Sequence, residues 1–420
     1  MLSSIWSLAT FFSLSSALAI NHRQNAGYYY MPVEFDYGAD SRVTAQFTFG
    51  SAEEEPIQVV MDTGSANFWI WSPNATIHWG SQYLGVEGPC NATVPTPYDP
   101  ALSSSAIWYN QSSTYAYAGN AKIVRGAQYT NDTLTAVNSS SSIPGVQFAL
   151  ENYGLFRQLD NGSCIVPEFD KGILGLSPYT NTTTGPSFRQ NLYDAGLTTT
   201  KTMSMWFDAS TTAFGKLTGG VLFGAIDTSK YTGELVKLSN VVSEYEIGIY
   251  VSKPNITING QTFVPDQDTT CLVDSGAHAD YLPFDFQSNM TDLFLNATNG
   301  VLTQYAGVIA FNGSCDDIPD VNITYAFAGS EAGKSVNIDV PIRNYARGLA
   351  TPSDAGAVCM FNLESGGCIF GAPFLSGGFM GLDDSDNSIW LAQGAVSSEG
   401  EAVQDSTLKV FGAGESFGSL

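Results

Sequence analysis

One pattern occurs twice in this chain, and it restricts the available folds more than any other feature. In Val59-Val60-Met61-Asp62-Thr63-Gly64-Ser65, three apolar residues run into an aspartate, followed by a hydroxyl residue and a glycine. Cys271-Leu272-Val273-Asp274-Ser275-Gly276-Ala277 repeats the grammar 212 residues later. In each copy the carboxylate ends an apolar strand, on a turn that the glycine makes accessible. A carboxylate so placed is costly unless hydrogen bonds or a partner compensate it. A lone Asp-Thr-Gly is read as a strand-ending turn. Here each copy is followed by a second signature. Gly172-Ile173-Leu174-Gly175-Leu176 places Ile173 111 residues after Asp62, and Cys368-Ile369-Phe370-Gly371-Ala372 places Ile369 95 residues after Asp274. The pair of pairs reads as an internal duplication: two lobes, each bringing one aspartate to a shared seam.

The length, 420 residues, suffices for two such lobes with cores of their own. A composition shift at 211–220 marks the junction, giving a first lobe over 20–215 and a second over 216–420. Strand patterns dominate. Val43, Ala45, Phe47 and Phe49 alternate with polar residues, as do Val321, Ile323, Tyr325 and Phe327. Asn259-Gly260 between Ile256-Thr257-Ile258 and Thr262-Phe263-Val264 is a two-residue hairpin signal. Helical patterns are confined to 186–196 and 283–295. The chain therefore reads as all-β. With 16 Lys plus Arg against 40 Asp plus Glu, the net charge of −24 argues against nucleic acid or an anionic membrane as partner.

Residues 1–19 read as a secretory signal, apolar over 5–18 and ending in the small-residue site Ala17-Leu18-Ala19. No later stretch is long and apolar enough to span a bilayer, and the C-terminus carries no lipid-anchor signal. Export fits twelve Asn-x-Ser/Thr sequons, at Asn74, Asn91, Asn110, Asn131, Asn138, Asn161, Asn181, Asn255, Asn289, Asn296, Asn312 and Asn322. Six widely spaced cysteines fit three disulfides rather than metal ligation. No metal or other cofactor is expected: His22, His78 and His278 have no ligand spacing, and Asp383-Asp384-Ser385-Asp386-Asn387 lacks the glycine and distal Glu of a calcium loop. Gly414-Glu415-Ser416-Phe417-Gly418 fits a hydrolase nucleophile pattern, but too few residues follow it to complete a triad.

Taken together, these motifs resemble the pepsin-like aspartic peptidase family over nearly the whole chain, in a style similar to fungal secreted members. The active-site turns of the family correspond to Asp62-Thr63-Gly64-Ser65 and Asp274-Ser275-Gly276-Ala277, and its crossing strands to Ile173-Leu174-Gly175 and Ile369-Phe370-Gly371. The resemblance implies a bilobal all-β fold with a cleft between the lobes. It implies Asp62 and Asp274 as the catalytic pair, with Thr63 and Ser275 bracing the turns and Ser65 bonded to Asp62. It also implies a flap over the cleft with Tyr117 and Gly119 at its tip, Tyr115 being the other candidate. Ala118 and Asn120 stand where the family has glycines, which puts flap mobility in question. Trp69 resembles the tryptophan that bonds the flap tyrosine, although a core aromatic fits the position equally. His278, two residues past Gly276, is read as structural or as part of the substrate rim. The resemblance implies the disulfides Cys271–Cys368 and Cys315–Cys359, leaving Cys90 with Cys164. Only 42 residues separate Ala19 from Asp62, and the first lysine is Lys122, so the usual long basic prosegment is not expected.

The chemistry explains why such a fold needs symmetry. Two carboxylates about 3 Å apart cannot both ionise, so they share a proton. One can then activate a water while the other protonates the scissile carbonyl. The expected activity is a secreted, monomeric aspartic endopeptidase acting on protein or peptide substrates at acidic pH. The alternative is a binding or inhibitor protein on the same fold; loss of either aspartate would favour it, and both are present.

Overall fold

The computed structural model describes residues 27–36, 42–51, 55–81, 85–90, 93–94, 96–139, 141–157, 171–178, 185–209, 216–241, 248–266, 270–284, 289–350 and 356–420. Strands carry almost all of the architecture. The largest sheet has fourteen. Near its middle, Tyr29–Asp36, Val43–Phe49 and Ile57–Asp62 pair antiparallel in succession, through Glu34↔Thr44 and Thr44↔Val60. Lys216–Phe223 runs antiparallel to Tyr29–Asp36 in unbroken register, and Met203–Phe207 links it to Gly378–Asp383. Strands from both halves of the sequence therefore share one sheet. Thr232–Ser239 and Ser388–Gln393 extend the large sheet, and the other described second-half strands form a five-stranded sheet, two four-stranded sheets and the pair Ala225–Asp227 with Leu408–Val410.

The duplication is visible in the pairing. Ile57–Asp62 lies parallel to Gly172–Gly175, with Asp62 opposite Gly175. Thr270–Val273 lies parallel to Ile369–Phe370, with Val273 opposite Phe370. In both halves, then, the strand that delivers the aspartate is flanked by the strand carrying the second signature. The glycine of that signature has a steric cause. A Cβ at Gly175 would come within 2.5 Å of the Ala66 and Asn67 backbone, and one at Gly371 within 2.7 Å of the Ala279 carbonyl oxygen. The chain leaving each aspartate turn folds directly against this glycine, leaving no room for a side chain.

The alternating segments form Val43–Phe49 and Asn322–Ala328, burying Val43, Ala45, Phe47, Phe49, Ile323, Tyr325 and Phe327, while Val321 lies half-buried just before the second strand. Asn259 and Gly260 take φ of 48° and 77° between Asn255–Ile258 and Gln261–Phe263, the left-handed pair that a tight two-residue hairpin requires. Within 186–196 the helix is Phe188–Asp194, with the Ser187 hydroxyl accepting from the Gln190 N–H. The second helix starts later than the pattern over 283–295 suggests, at Met290–Ala297. Pro283 and Phe284 precede it in non-helical backbone. A third helix, Ala372–Leu375, is a single turn and leaves no periodicity to read.

Cys271–Cys368 joins the ends of two neighbouring strands, with Cα atoms 4.6 Å apart, and Cys315–Cys359 closes a second bridge at 4.9 Å. Cys90 is also disulfide-bonded, while Cys164 lies outside the described residues. So do the 1–19 segment, His22, Asn91, Asn161, Asn181 and the 211–215 part of the lobe junction. Among the described residues no helix is long and apolar enough to cross a membrane.

Candidate active site

Each aspartate accepts a hydrogen bond from the backbone of its own turn: Gly64 N–H donates to Asp62 Oδ1 at 2.9 Å, and Gly276 N–H to Asp274 Oδ1 at 2.8 Å. The turns face one another so closely that each glycine abuts the opposite carboxyl. A Cβ at Gly64 would lie 2.5 Å from the Asp274 carboxyl carbon, and one at Gly276 2.7 Å from Asp62 Oδ1. Glycine here serves the approach of two acids, not only the turn.

Thr63 and Ser275 tie the turns together. Thr63 Oγ1 donates to the Val273 carbonyl and accepts from Ser275 N–H, both at 2.9 Å. In mirror fashion Ser275 Oγ donates to the Met61 carbonyl and accepts from Thr63 N–H at 3.1 Å. Both side chains are fully buried, and their hydroxyls supply partners to four polar backbone groups at the seam.

The symmetry fails one residue further on. Ser65 Oγ donates to Asp62 Oδ2, whereas Ala277, in the matching place, has no side-chain donor. Burial, then the charge of Asp62 and a hydrogen bond with it, push the Asp274 carboxyl well above the ordinary carboxylate range. The Gly276 N–H and the positive field of Arg42 oppose this without reversing it. Burial and the neighbouring charge thus disfavour ionisation of both carboxyls at once.

Strands Ile107–Tyr117 and Lys122–Ala136 form a hairpin whose last cross-strand pair is Tyr117↔Lys122. The tip takes left-handed φ at Ala118 (47°), Gly119 (61°) and Asn120 (66°). Two of these three are not glycine; asparagine tolerates the region, and alanine is strained there. Tyr117 OH accepts from Trp69 Nε1 at 2.8 Å. Burial, then the nearby charge of Asp62, raises the Tyr117 phenol well above its usual value, which places this hydroxyl by the first aspartate. Trp69 itself has no exposed surface, so it is at once a core aromatic and the partner of Tyr117. Tyr115 instead bonds Tyr129 at 2.6 Å, within the apolar cluster behind the hairpin.

This geometry agrees with what sequence comparison finds. The eukaryotic aspartyl protease family model matches residues 44–394. The chain belongs to that family. It is an aspartic-type endopeptidase with the bilobal all-β fold of pepsin-like enzymes, and its substrates are proteins or peptides. Among its relatives, the probable aspartic-type endopeptidase opsB of Aspergillus oryzae is 26% identical over 84% of this chain and 68% of its own length. Candidapepsin-3 of Candida albicans is 27% identical over 83% of this chain and 78% of its own. The candidapepsin of Candida tropicalis is 25% identical over 85% and 80%.

In this aspartyl protease the remaining candidate residues fall as follows. His278 is half-buried, and burial, then Arg42 and Arg347, lower its pKa to about 3, so it is neutral. His78 Nδ1 lies 3.3 Å from Glu87, and its ring packs on Tyr153. Ser416 caps the short turn Phe417–Ser419, accepting from Gly418 N–H. Asp383 Oδ1 and Asp386 Oδ1 accept from Ser385 and Ser388 of their own loop, while Asp386 Oδ2 pairs with Lys237 and Asp384 with the buried Arg189 at 2.7 Å. Eight of the nine described sequon asparagines are exposed; Asn131 is half-buried with its amide oxygen shielded.

Two buried acids near the site escape sequence reasoning. Glu151 has no exposed surface, accepts from Ser113 Oγ at 2.6 Å on the hairpin strand, and is raised to about 7 by burial. Asp280, six residues past Asp274, is raised to about 8, again by burial. It accepts from Gly371 N–H at 2.7 Å, holding the second crossing strand. Asp280 lies close enough to the second motif to be suspected from position alone. Glu151 lies in a strand with no motif.

Proposed function

We propose that this chain is a secreted acid endopeptidase that cleaves peptide bonds with Asp62, Asp274 and one water. What carries the reading is the reciprocal approach of the two turns, each glycine against the opposite carboxyl. Asp274 holds the shared proton and donates it to the scissile carbonyl oxygen. Asp62, stabilised by Gly64 N–H and Ser65 Oγ, takes a proton from water, whose oxygen attacks the carbonyl carbon. The resulting gem-diol collapses as the C–N bond breaks: the proton from Asp62 passes to the leaving amine, and one gem-diol hydroxyl returns its proton to Asp274, which leaves the acid product and restores the shared proton. Tyr117 and Gly119 on the hairpin cover the bound peptide, with Trp69 as support. The cleft lies between lobes 20–215 and 216–420 and takes an extended peptide through backbone hydrogen bonds. No metal or cofactor enters this chemistry.

Export is supported by the leader pattern at 1–19, the disulfides, the exposed sequons and relatives that are named secreted aspartic proteases. We propose an extracellular monomer without nucleic-acid or membrane partners, in keeping with the charge of −24. The test is digestion of unfolded casein across a pH series by the parent, Asp62→Asn and Asp274→Asn. Cleavage in acid by the parent, and none by either variant, is expected. Full activity in either variant, or an optimum at alkaline pH, would overturn the dyad.

A further inference from the structure

Lys122 is the first lysine of the chain, and it stands where the hairpin turns back. Strand register puts it between two aromatic residues, opposite Tyr117 on one side and Phe156 on the other. Its Nζ lies 4.7 Å from the centre of the Trp69 ring, 5.7 Å from that of Phe156 and 5.8 Å from that of Tyr117. Trp69 and Phe156 are fully buried. A cation among three aromatic faces is attracted to their negative quadrupoles, more strongly where water is excluded.

The same indole makes the 2.8 Å hydrogen bond to Tyr117. We propose that Lys122 is a positioning residue for hydrolysis: its ammonium pins the Trp69 indole, and through it the Tyr117 hydroxyl beside Asp62 and Ser65. The cation acts in two ways. It holds the ring plane by direct attraction. It also draws density from the ring, which strengthens the Nε1–H donor facing Tyr117. An anchor of this kind matters because the residues after Tyr117 are not preorganised by glycine: Ala118 and Asn120 hold left-handed φ beside Gly119. The plainer account of Lys122 is a lysine whose stem covers apolar surface while its head reaches water. That account needs no charge over the rings.

The inference rests on the proposed role of Tyr117, and the experiment separates the two. Lys122→Met keeps the apolar stem and removes the cation; Lys122→Arg keeps a cation that can stack. On one peptide substrate, Lys122→Met should raise KM roughly three- to thirty-fold with kcat retained, the range a desolvated cation–aromatic contact supports. Lys122→Arg should return KM close to the parent. General structural damage would instead lower the active fraction, and with it kcat, at unchanged KM. A second readout does not depend on turnover. The Trp69 indole N–H, assigned with Trp69→Phe, should exchange with solvent faster in Lys122→Met and remain protected in Lys122→Arg. An inactive parent would refute the dyad, and the exchange rates would still decide the role of Lys122. Parental KM with a protected indole in Lys122→Met would overturn the inference, as would a Lys122→Arg variant as impaired as Lys122→Met.

Discussion

Ser65 and Ala277 occupy equivalent places, one residue past the glycine of each turn, and only Ser65 has a side-chain hydrogen-bond donor. A donor to an ionised carboxylate is worth about 1.5–3 kcal/mol, so a side-chain donor on one side alone favours the anion at Asp62 over that at Asp274. Restoring the hydroxyl in Ala277→Thr should stabilise the ionised form of the pair and lower its apparent pKa. The change should be a fraction of a unit to about one unit, because solvent partly replaces a missing donor. Both limbs of the kcat/KM profile on a single peptide should then move to lower pH, as a property of the pair and not of Asp274 alone. Limbs that stay put or move upward, in a variant that folds normally, would show that this position does not tune the dyad. The asymmetry is legible in the sequence because it sits inside a repeated motif, where a departure stands out against its own copy. The contacts of Lys122 and Glu151 are not legible, since they depend on the register of strands distant in sequence.

The two aspartate turns act as one element because Thr63 and Ser275 interlock across the seam. Thr63→Val keeps the shape of the side chain and strands the Val273 carbonyl and the Ser275 N–H in a buried place. Each buried polar group left without a partner costs about 1–3 kcal/mol, so the variant should lose roughly 2–6 kcal/mol in denaturant titration. Its kcat should fall as well, because the spacing of the carboxyls depends on the same brace. A variant with parental stability and kcat would show that the hydroxyl exchange is dispensable. Elements differ in how plainly the chain announces them. The Asn259-Gly260 hairpin is plain because its two left-handed residues admit few side chains. The second helix is less plain, because apolar spacing begins at Pro283 and Phe284, whose backbone is not helical, and the helix itself starts only at Met290. Ala372–Leu375 is too short for any period to show.

Over the whole molecule, buried acids set how stability responds to pH. Folding raises Glu151 from 4.5 to about 7 and Asp280 from 3.8 to about 8, in both cases chiefly by burial. Well below the unfolded values both states hold these protons, and the stabilisation is fully present. As pH rises past them the unfolded chain releases its protons while the folded chain keeps them, so stability falls until the folded groups ionise as well. For Glu151 the fall spans pH 4.5 to about 7 and amounts to roughly 3 kcal/mol; for Asp280 it continues to about 8. Asp274 acts in the same direction. His278 opposes them. It stays neutral in the fold down to about 3, while the unfolded chain takes up its proton below 6.5, so its contribution is lost as pH falls. Four raised carboxyls, Glu364 being the fourth, against one lowered imidazole and one lowered carboxyl, Asp386, leave the folded state with the greater proton uptake above the free carboxylate range, and its stability should peak in moderate acid and decline toward neutrality. Denaturant midpoints measured from acid to mildly alkaline pH should follow that slope. Glu151→Gln should flatten it selectively, because an amide can still accept from Ser113 but cannot ionise. The variant should match the parent in acid and exceed it near neutrality by an amount approaching roughly 3 kcal/mol. Parallel curves for parent and variant would mean that Glu151 does not carry its proton into the folded state.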